Sequence, residues 1–258
     1  ARATIADVLT RGDAAPAGRR RVQARPAMSP RAAAVVVAAG RGERLGAAVP
    51  KCFVEVNGWP LFVWATRPFS RVAAVGQIVV VVPKGQLRQA RRALEAAGLA
   101  EAVTDVVAGG DHRTASVRAG LARVRPDVEV VAIHDGARPL VTPLLIRRCL
   151  TAAARHGAAV ACEPSLDTLK QVGPGSMRVA ATLDRNLIWR AGTPQAFRLD
   201  LIRRAYRAPL RELQGVTDDC MLVERLGIAP VIVAARSPNP KVTTPDDLAM
   251  VRALLSGN

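Results

Sequence analysis

Residues 78–82 read Ile-Val-Val-Val-Val, an unbroken run of β-branched apolar side chains. A strand with one wet face alternates polar and apolar residues, whereas a strand covered by helices on both faces is apolar throughout. The run therefore calls for a layered α/β body. Similar short runs at 33–38, 77–82, 102–107, 128–133, 158–162 and 230–233 predict strands. Amphipathic stretches predict helices at 61–71, 85–97, 113–124, 143–156, 199–207, 218–226 and 245–255. Alternation at this spacing predicts an α/β fold with a doubly wound, mostly parallel, Rossmann-like sheet.

Two segments fall outside this rhythm. Residues 165–191 carry Pro174-Gly175 between Leu169-Lys170-Gln171-Val172 and Arg178-Val179-Ala180-Ala181-Thr182, which predicts a protruding β-hairpin arm. A hairpin leaving an α/β body needs a cover, and a second subunit is the expected one. Residues 1–31 are rich in Ala, Arg, Gly and Pro, include Arg19-Arg20-Arg21, and read as a disordered basic extension. The domain proper is expected over 32–258, with the arm at about 165–191.

Lys plus Arg number 37 against 21 Asp plus Glu, a formal charge of +16, which invites a nucleic-acid reading. The excess is almost entirely Arg in an Ala- and Val-rich background, and eight aromatic residues leave little for base stacking. No nucleic-acid partner is expected. No apolar run approaches the ~20 residues of a membrane span, so no membrane partner is expected either. Cys52, Cys149, Cys162 and Cys220 are far apart and read as reduced core thiols; with no secretory segment, the expected location is cytoplasmic.

The first predicted strand runs into Ala38-Ala39-Gly40-Arg41-Gly42-Glu43-Arg44-Leu45-Gly46, followed by Val49-Pro50-Lys51. Small residues let backbone N–H groups approach a polyphosphate, and Arg44 and Lys51 supply the opposing charge. Loops at the carboxyl ends of parallel strands are also where α/β sheets place ligands. An ordinary strand-to-helix turn is the alternative. The dinucleotide pattern G-x-G-x-x-G fails at Glu43 and Leu45, and no G-K-[ST] follows.

Four further segments complete a pattern: Gly109-Gly110-Asp111-His112-Arg113-Thr114-Ala115-Ser116-Val117; His134-Asp135-Gly136-Ala137-Arg138-Pro139; Asp184-Arg185-Asn186 with Trp189 and Thr193-Pro194-Gln195; and Thr217-Asp218-Asp219 with Lys241-Val242-Thr243-Thr244-Pro245-Asp246-Asp247. With the first loop, which is similar to that of sugar-nucleotide pyrophosphorylases, they run in unbroken order. The whole resembles the 2-C-methyl-D-erythritol 4-phosphate cytidylyltransferases of the non-mevalonate isoprenoid pathway. Cys52, Cys220-Met221-Leu222 and Pro240 depart from the family pattern, but none removes a charged group.

The resemblance implies in-line attack of a phosphorylated polyol on the α-phosphorus of CTP, with pyrophosphate leaving. It implies catalytic roles for Arg44, Lys51, Arg185 and Lys241, and a nucleotide pocket of Ala38, Ala39, Gly40, Gly42, Gly110, Asp111 and Ser116. Arg185 and Lys241 would take the acceptor phosphate, with Thr168 and Thr217 as hydroxyl contacts. Asp135, expected at a strand end, suits Mg²⁺ carried mainly by triphosphate oxygens or, alternatively, a turn cap. Arg138 fits a phosphate contact or a structural salt bridge, and Ser116 a base contact or a helix cap. A homodimer with shared active sites follows from the arm. His112, His134 and His156 are expected to pack or face solvent, because an ionised phosphate needs no imidazole base.

Ribitol 5-phosphate cytidylyltransferase shares the nucleotide half of the pattern, so only the acceptor half, Asp184-Arg185-Asn186 and Lys241-Val242-Thr243, separates the two. A fused cyclase is not expected, since the chain ends soon after the last matching helix. Residues 1–30 hold six Arg and two Asp, which accounts for +4 of the +16 and leaves +12 on the remainder.

Overall fold

The structure, a computed structural model, describes residues 31–40, 49–213 and 215–256. The expected extension at 1–31 lies outside these residues apart from Arg31, as do Gly42 and Arg44. In chain order the strands are β1 (Ala32–Val37), β2 (Glu55–Val56), β3 (Trp59–Pro60), β4 (Val75–Val82), β5 (Val103–Ala108), β6 (Val130–Asp135), β7 (Ala158–Pro164), β8 (Lys170–Val172), β9 (Val179–Thr182), β10 (Trp189–Arg198) and β11 (Val231–Ala234). The helices are α1 (Leu61–Ser70), α2 (Leu87–Ala96), α3 (Arg113–Leu121), α4 (Pro143–His156), α5 (Leu199–Ala205), α6 (Asp219–Glu224) and α7 (Pro245–Ser256).

A seven-stranded sheet runs in the order β11-β7-β10-β6-β1-β4-β5. β1 is parallel to both neighbours, with Val35 opposite Val79 on one side and Ile133 on the other. β4 and β5 are parallel, as are β7 and β11. Of the strands in this sheet, β10 alone was not foreseen; it runs antiparallel to β6, from Gln195 opposite Ile133 to Arg198 opposite Val130. All six residues of β1 and of β6 are buried, as expected for strands between two helical layers. Phe62, Phe69, Ile133 and Phe197 are fully buried, each worth about 1.5–3 kcal/mol of transfer from water.

The helix α3 lies unusually close to the sheet. A Cβ on Gly120 would stand 2.4 Å from Val35 Cγ1 and 2.9 Å from Val81 Cγ2, so only glycine fits without displacement. That approach sets the first residue of α3, Arg113, at the carboxyl edge of β1 and β6. Among the described residues, no helix is long and apolar enough to cross a membrane.

Residues Pro164–Arg190 form a compact unit of their own. β8 and β9 pair antiparallel, Lys170 opposite Thr182, around a turn in which Gly175 takes φ +67. The predicted hairpin is thus present. Within it Ser165 N–H donates to Ile188 O at 3.0 Å, and Arg185 Nη1 donates to Leu166 O at 2.9 Å.

Candidate active site

The loops that leave β1, β4, β5 and β6 converge at the carboxyl edge of the sheet, where parallel topology gathers strand ends. They enclose a cavity of about 400 Å³. Ala39 and Gly40 contribute the first loop, Gly110 and Asp111 the third, and Lys51, Arg113, Asp135 and Lys241 its charged groups.

The turn after β5 is shaped by close contacts. A Cβ on Gly109 would meet Ala39 Cβ at 2.4 Å, and one on Gly110 would meet Ala115 Cβ at 2.6 Å. Ser116 secures this turn from inside α3: the Gly110 N–H donates to Ser116 Oγ at 3.2 Å, and the Ser116 hydroxyl reaches the His112 carbonyl at 3.2 Å. Ser116 is therefore not the helix cap, since His112 holds that position. Ala38 is also placed differently from the expected pocket wall. It is buried behind the first loop, its N–H donating to Val81 O at 2.7 Å and its Cβ facing Gly136.

Asp135, the last residue of β6, meets three cations. Arg113 Nε lies 3.2 Å from Oδ1, Lys241 Nζ 2.8 Å from Oδ2, and Arg138 Nε 3.9 Å from Oδ2. Burial alone would push this carboxyl upward, but the attraction of Arg113 and then Lys241 outweighs it and holds Asp135 well below the usual carboxylate range. Burial acts oppositely on Arg113, and the carboxylates of Asp219 and Asp135 more than restore its charge. Next to Lys51, burial pushes the Cys52 thiol up to about 12, so it is no nucleophile.

The segment 239–242 is tied to 137–140. Arg138 Nη1 donates to Asn239 O at 2.8 Å, Leu140 N–H to Asn239 Oδ1 at 3.1 Å, and Val242 N–H to Ala137 O at 2.8 Å. These bonds bring Lys241 to Asp135, and they tie the Arg138 guanidinium to the backbone of the 239–242 segment. Further along, Thr244 Oγ1 accepts from Asp247 N–H at 3.3 Å while Asp247 Oδ2 accepts from Thr244 N–H at 2.8 Å, a reciprocal cap that starts α7.

A family model described as 2-C-methyl-D-erythritol 4-phosphate cytidylyltransferase matches residues 32–257. The chain belongs to this family. A 2-C-methyl-D-erythritol 4-phosphate cytidylyltransferase of Syntrophus aciditrophicus (strain SB) is 40% identical over 228 residues, covering 88% of this chain and 97% of that protein. Among solved structures, the 4-diphosphocytidyl-2C-methyl-D-erythritol synthase of Anaerococcus prevotii superposes with TM-score 0.77 at 28% identity, covering 88% of this chain and 97% of that one. The cytidylyltransferase of Thermus thermophilus follows at TM-score 0.69 and 30% identity, covering 87% and 98%.

Of the residues expected to bind substrates in a cytidylyltransferase, the structure brings Ala39, Gly40, Lys51, Gly110, Asp111, Ser116, Asp135 and Lys241 to one cavity. Thr217 is exposed, and its hydroxyl donates to Met221 Sδ at 3.0 Å. Arg185 and Thr168 belong to the separate hairpin unit, where Thr168 is exposed. Arg113, part of a motif in the sequence, and Lys84 had no expected role, yet both line the cavity, as does His112, which was expected only to pack or face solvent. His134 keeps the packing role expected of it. Its Nε2 meets the Arg138 carbonyl at 3.0 Å and its Nδ1 the Thr193 hydroxyl at 2.9 Å. A carbonyl can only accept, so the proton sits on Nε2.

Proposed function

We propose that the cavity binds CTP and a phosphorylated polyol and transfers the cytidylyl group to 2-C-methyl-D-erythritol 4-phosphate, releasing pyrophosphate. The observation that carries this reading is the convergence, in one cavity, of a glycine-shaped turn, the cation Lys51 and the Asp135–Lys241 pair. Ala39, Gly40, Gly110 and Asp111 offer backbone groups to a planar base, beside a turn where a Cβ on Gly109 or Gly110 would clash. Lys51 faces the triphosphate and, with Arg44, offsets charge as the pyrophosphate departs. Lys241 takes the acceptor phosphate. The two anionic substrates repel each other, so the rate depends mainly on neutralising charge and aligning the attacking oxygen with the α-phosphorus.

The residues fit Mg²⁺ in one mode. Asp135 is already engaged with cations, and among the described residues no cluster of three or more His, Cys, Asp or Glu could hold a metal. Such a donor set suits an ion that takes most of its ligands from nucleotide phosphates, with Asp135 as the protein ligand; when bound, the ion would neutralise phosphate charge. Arg185 and Thr168 are assigned to the acceptor phosphate of a neighbouring subunit in a homodimer. The exposed apolar residues Leu166, Val172, Met177, Val179 and Leu187 on the hairpin unit support this, because they need a cover. A cytoplasmic site of action accords with four free, buried cysteines.

A pyrophosphate-release assay with CTP and each of two acceptors tests the reading. Turnover with methylerythritol phosphate is expected; turnover with ribitol 5-phosphate alone would overturn it.

A further inference from the structure

We propose that Tyr206 and Asp219 are positioning residues for the acceptor side of the site, acting through Arg113 on Asp135 and Lys241. The inference rests on the function proposed above and extends it to residues outside the cavity wall. Asp219 is fully buried at the start of α6, and Tyr206, which follows α5, is 4% exposed. The Tyr206 hydroxyl donates to Asp219 Oδ1 at 2.5 Å, and Asp219 Oδ2 lies 2.8 Å from Arg113 Nη2. From Arg113 the string continues through Nε to Asp135 at 3.2 Å and on to Lys241 at 2.8 Å.

The geometry of a guanidinium makes this string directional. Its N–H donors lie in one plane at fixed angles, so placing one carboxylate on Nη2 and another on Nε fixes both the position and the plane of the group. Arg113 thereby fixes the rotation of the Asp135 carboxylate, whose other oxygen holds Lys241. Burial, and then the Asp219 carboxylate, push the Tyr206 phenol well above its ordinary value, so it remains a donor throughout the working pH range. The start of α6 is itself held from β10: Gln195 Oε1 accepts from the N–H groups of Asp219 and Cys220 at 2.9 and 3.2 Å, while Gln195 Nε2 donates to Asp218 Oδ2 at 2.9 Å. The Thr193-Pro194-Gln195 and Thr217-Asp218-Asp219 segments, which carried the family resemblance without a role for their acidic pair or glutamine, thus meet as one clasp behind Arg113. Buried ion pairs add little net stability, because desolvation offsets their attraction. What this string supplies is orientation.

Tyr206→Phe removes one hydroxyl and leaves the ring. With the wild-type melting temperature largely retained, it is expected to lower kcat/KM for the acceptor about 5- to 10-fold while KM for CTP stays within about twofold. In an Arg113→Lys background the same change should cost less than about twofold, because the link to Asp135 is already broken. Equal losses in the two backgrounds, or matched rises in KM for both substrates, would overturn the proposal. Asp219→Asn should behave as Tyr206→Phe does; should that variant not fold, Tyr206→Phe carries the test alone. A substrate-free readout separates this inference from the functional reading. In ¹⁵N spectra the Arg113 Nη protons should be separately resolved by slow rotation in the wild type and averaged in Tyr206→Phe. Unchanged spectra defeat the clamp even if cytidylyl transfer is found; averaged spectra uphold it even if the acceptor proves to be another polyol phosphate.

Discussion

Arg138 and Asn239 are bound to each other at the back of the site, the guanidinium donating to the Asn239 carbonyl at 2.8 Å. The Asn239 side chain completes the contact by accepting from Leu140 N–H at 3.1 Å and donating to Thr193 O at 3.3 Å. Asn239→Ala leaves the half-buried Leu140 N–H and the buried Thr193 carbonyl without these partners, at a cost of up to about 1–3 kcal/mol each where no substitute is found. The expected result is a lower urea midpoint together with a raised KM for the acceptor, since Lys241 lies two residues on. An unchanged acceptor KM would show that Lys241 is held by other means.

Lys51→Ala should lower kcat on the order of 10²-fold or more, as for loss of a preorganised electrostatic partner. The half-buried Lys51 sits on a short helical turn, Lys51–Phe53, whose other two residues are in the core. Steady-state turnover of CTP by the purified variant checks this; near-normal kcat would remove Lys51 from the reaction.

Gly120→Ala forces a methyl against Val35 Cγ1 at 2.4 Å and is expected to destabilise by about 1–3 kcal/mol. Adding Val35→Ala should recover part of the loss by making room. Chemical denaturation of both variants measures this, and a double variant no better than the sum of two independent losses would contradict the packing account.

His134 is fully buried, and its burial lowers the imidazole from 6.5 to about 4. The unfolded chain therefore binds a proton that the folded one refuses between those values. Stability from this group is full above pH 6.5 and is lost progressively as pH falls toward 4, by an amount on the order of 3 kcal/mol. Asp135, held low in the folded state, adds a further loss at still lower pH. Melting temperatures between pH 7 and 4 should fall steeply in the wild type and more gently in His134→Gln.

The parallel strands were legible because Ile78 to Val82 and their counterparts are apolar on both faces, a pattern that few other environments produce. β10 was hidden because Gly192, Thr193 and Pro194 interrupt its apolar signal, and its pairing is decided by the neighbouring β6 rather than by its own residues. In the site, Lys51, Asp135 and Lys241 could be found because each stands in a short motif. Arg113 was in plain view within such a motif, but in a chain this rich in Arg its bridging role follows from two carboxylates that are distant in sequence. Tyr206 stands in no motif, and only the meeting of α5, α6 and α3 gives its hydroxyl a task.

The string from Asp219 through Arg113 and Asp135 to Lys241 contains two carboxylates and two cations, and so carries no net charge of its own. Its field falls off quickly, as that of paired dipoles does. Capture of anions from a distance must then come from the wider Arg-rich surface, whose reach shrinks to roughly 10 Å in 0.1 M salt. Arrival of substrates is thus the part of the cycle that ionic strength governs, while the last step of seating the acceptor is insulated from it.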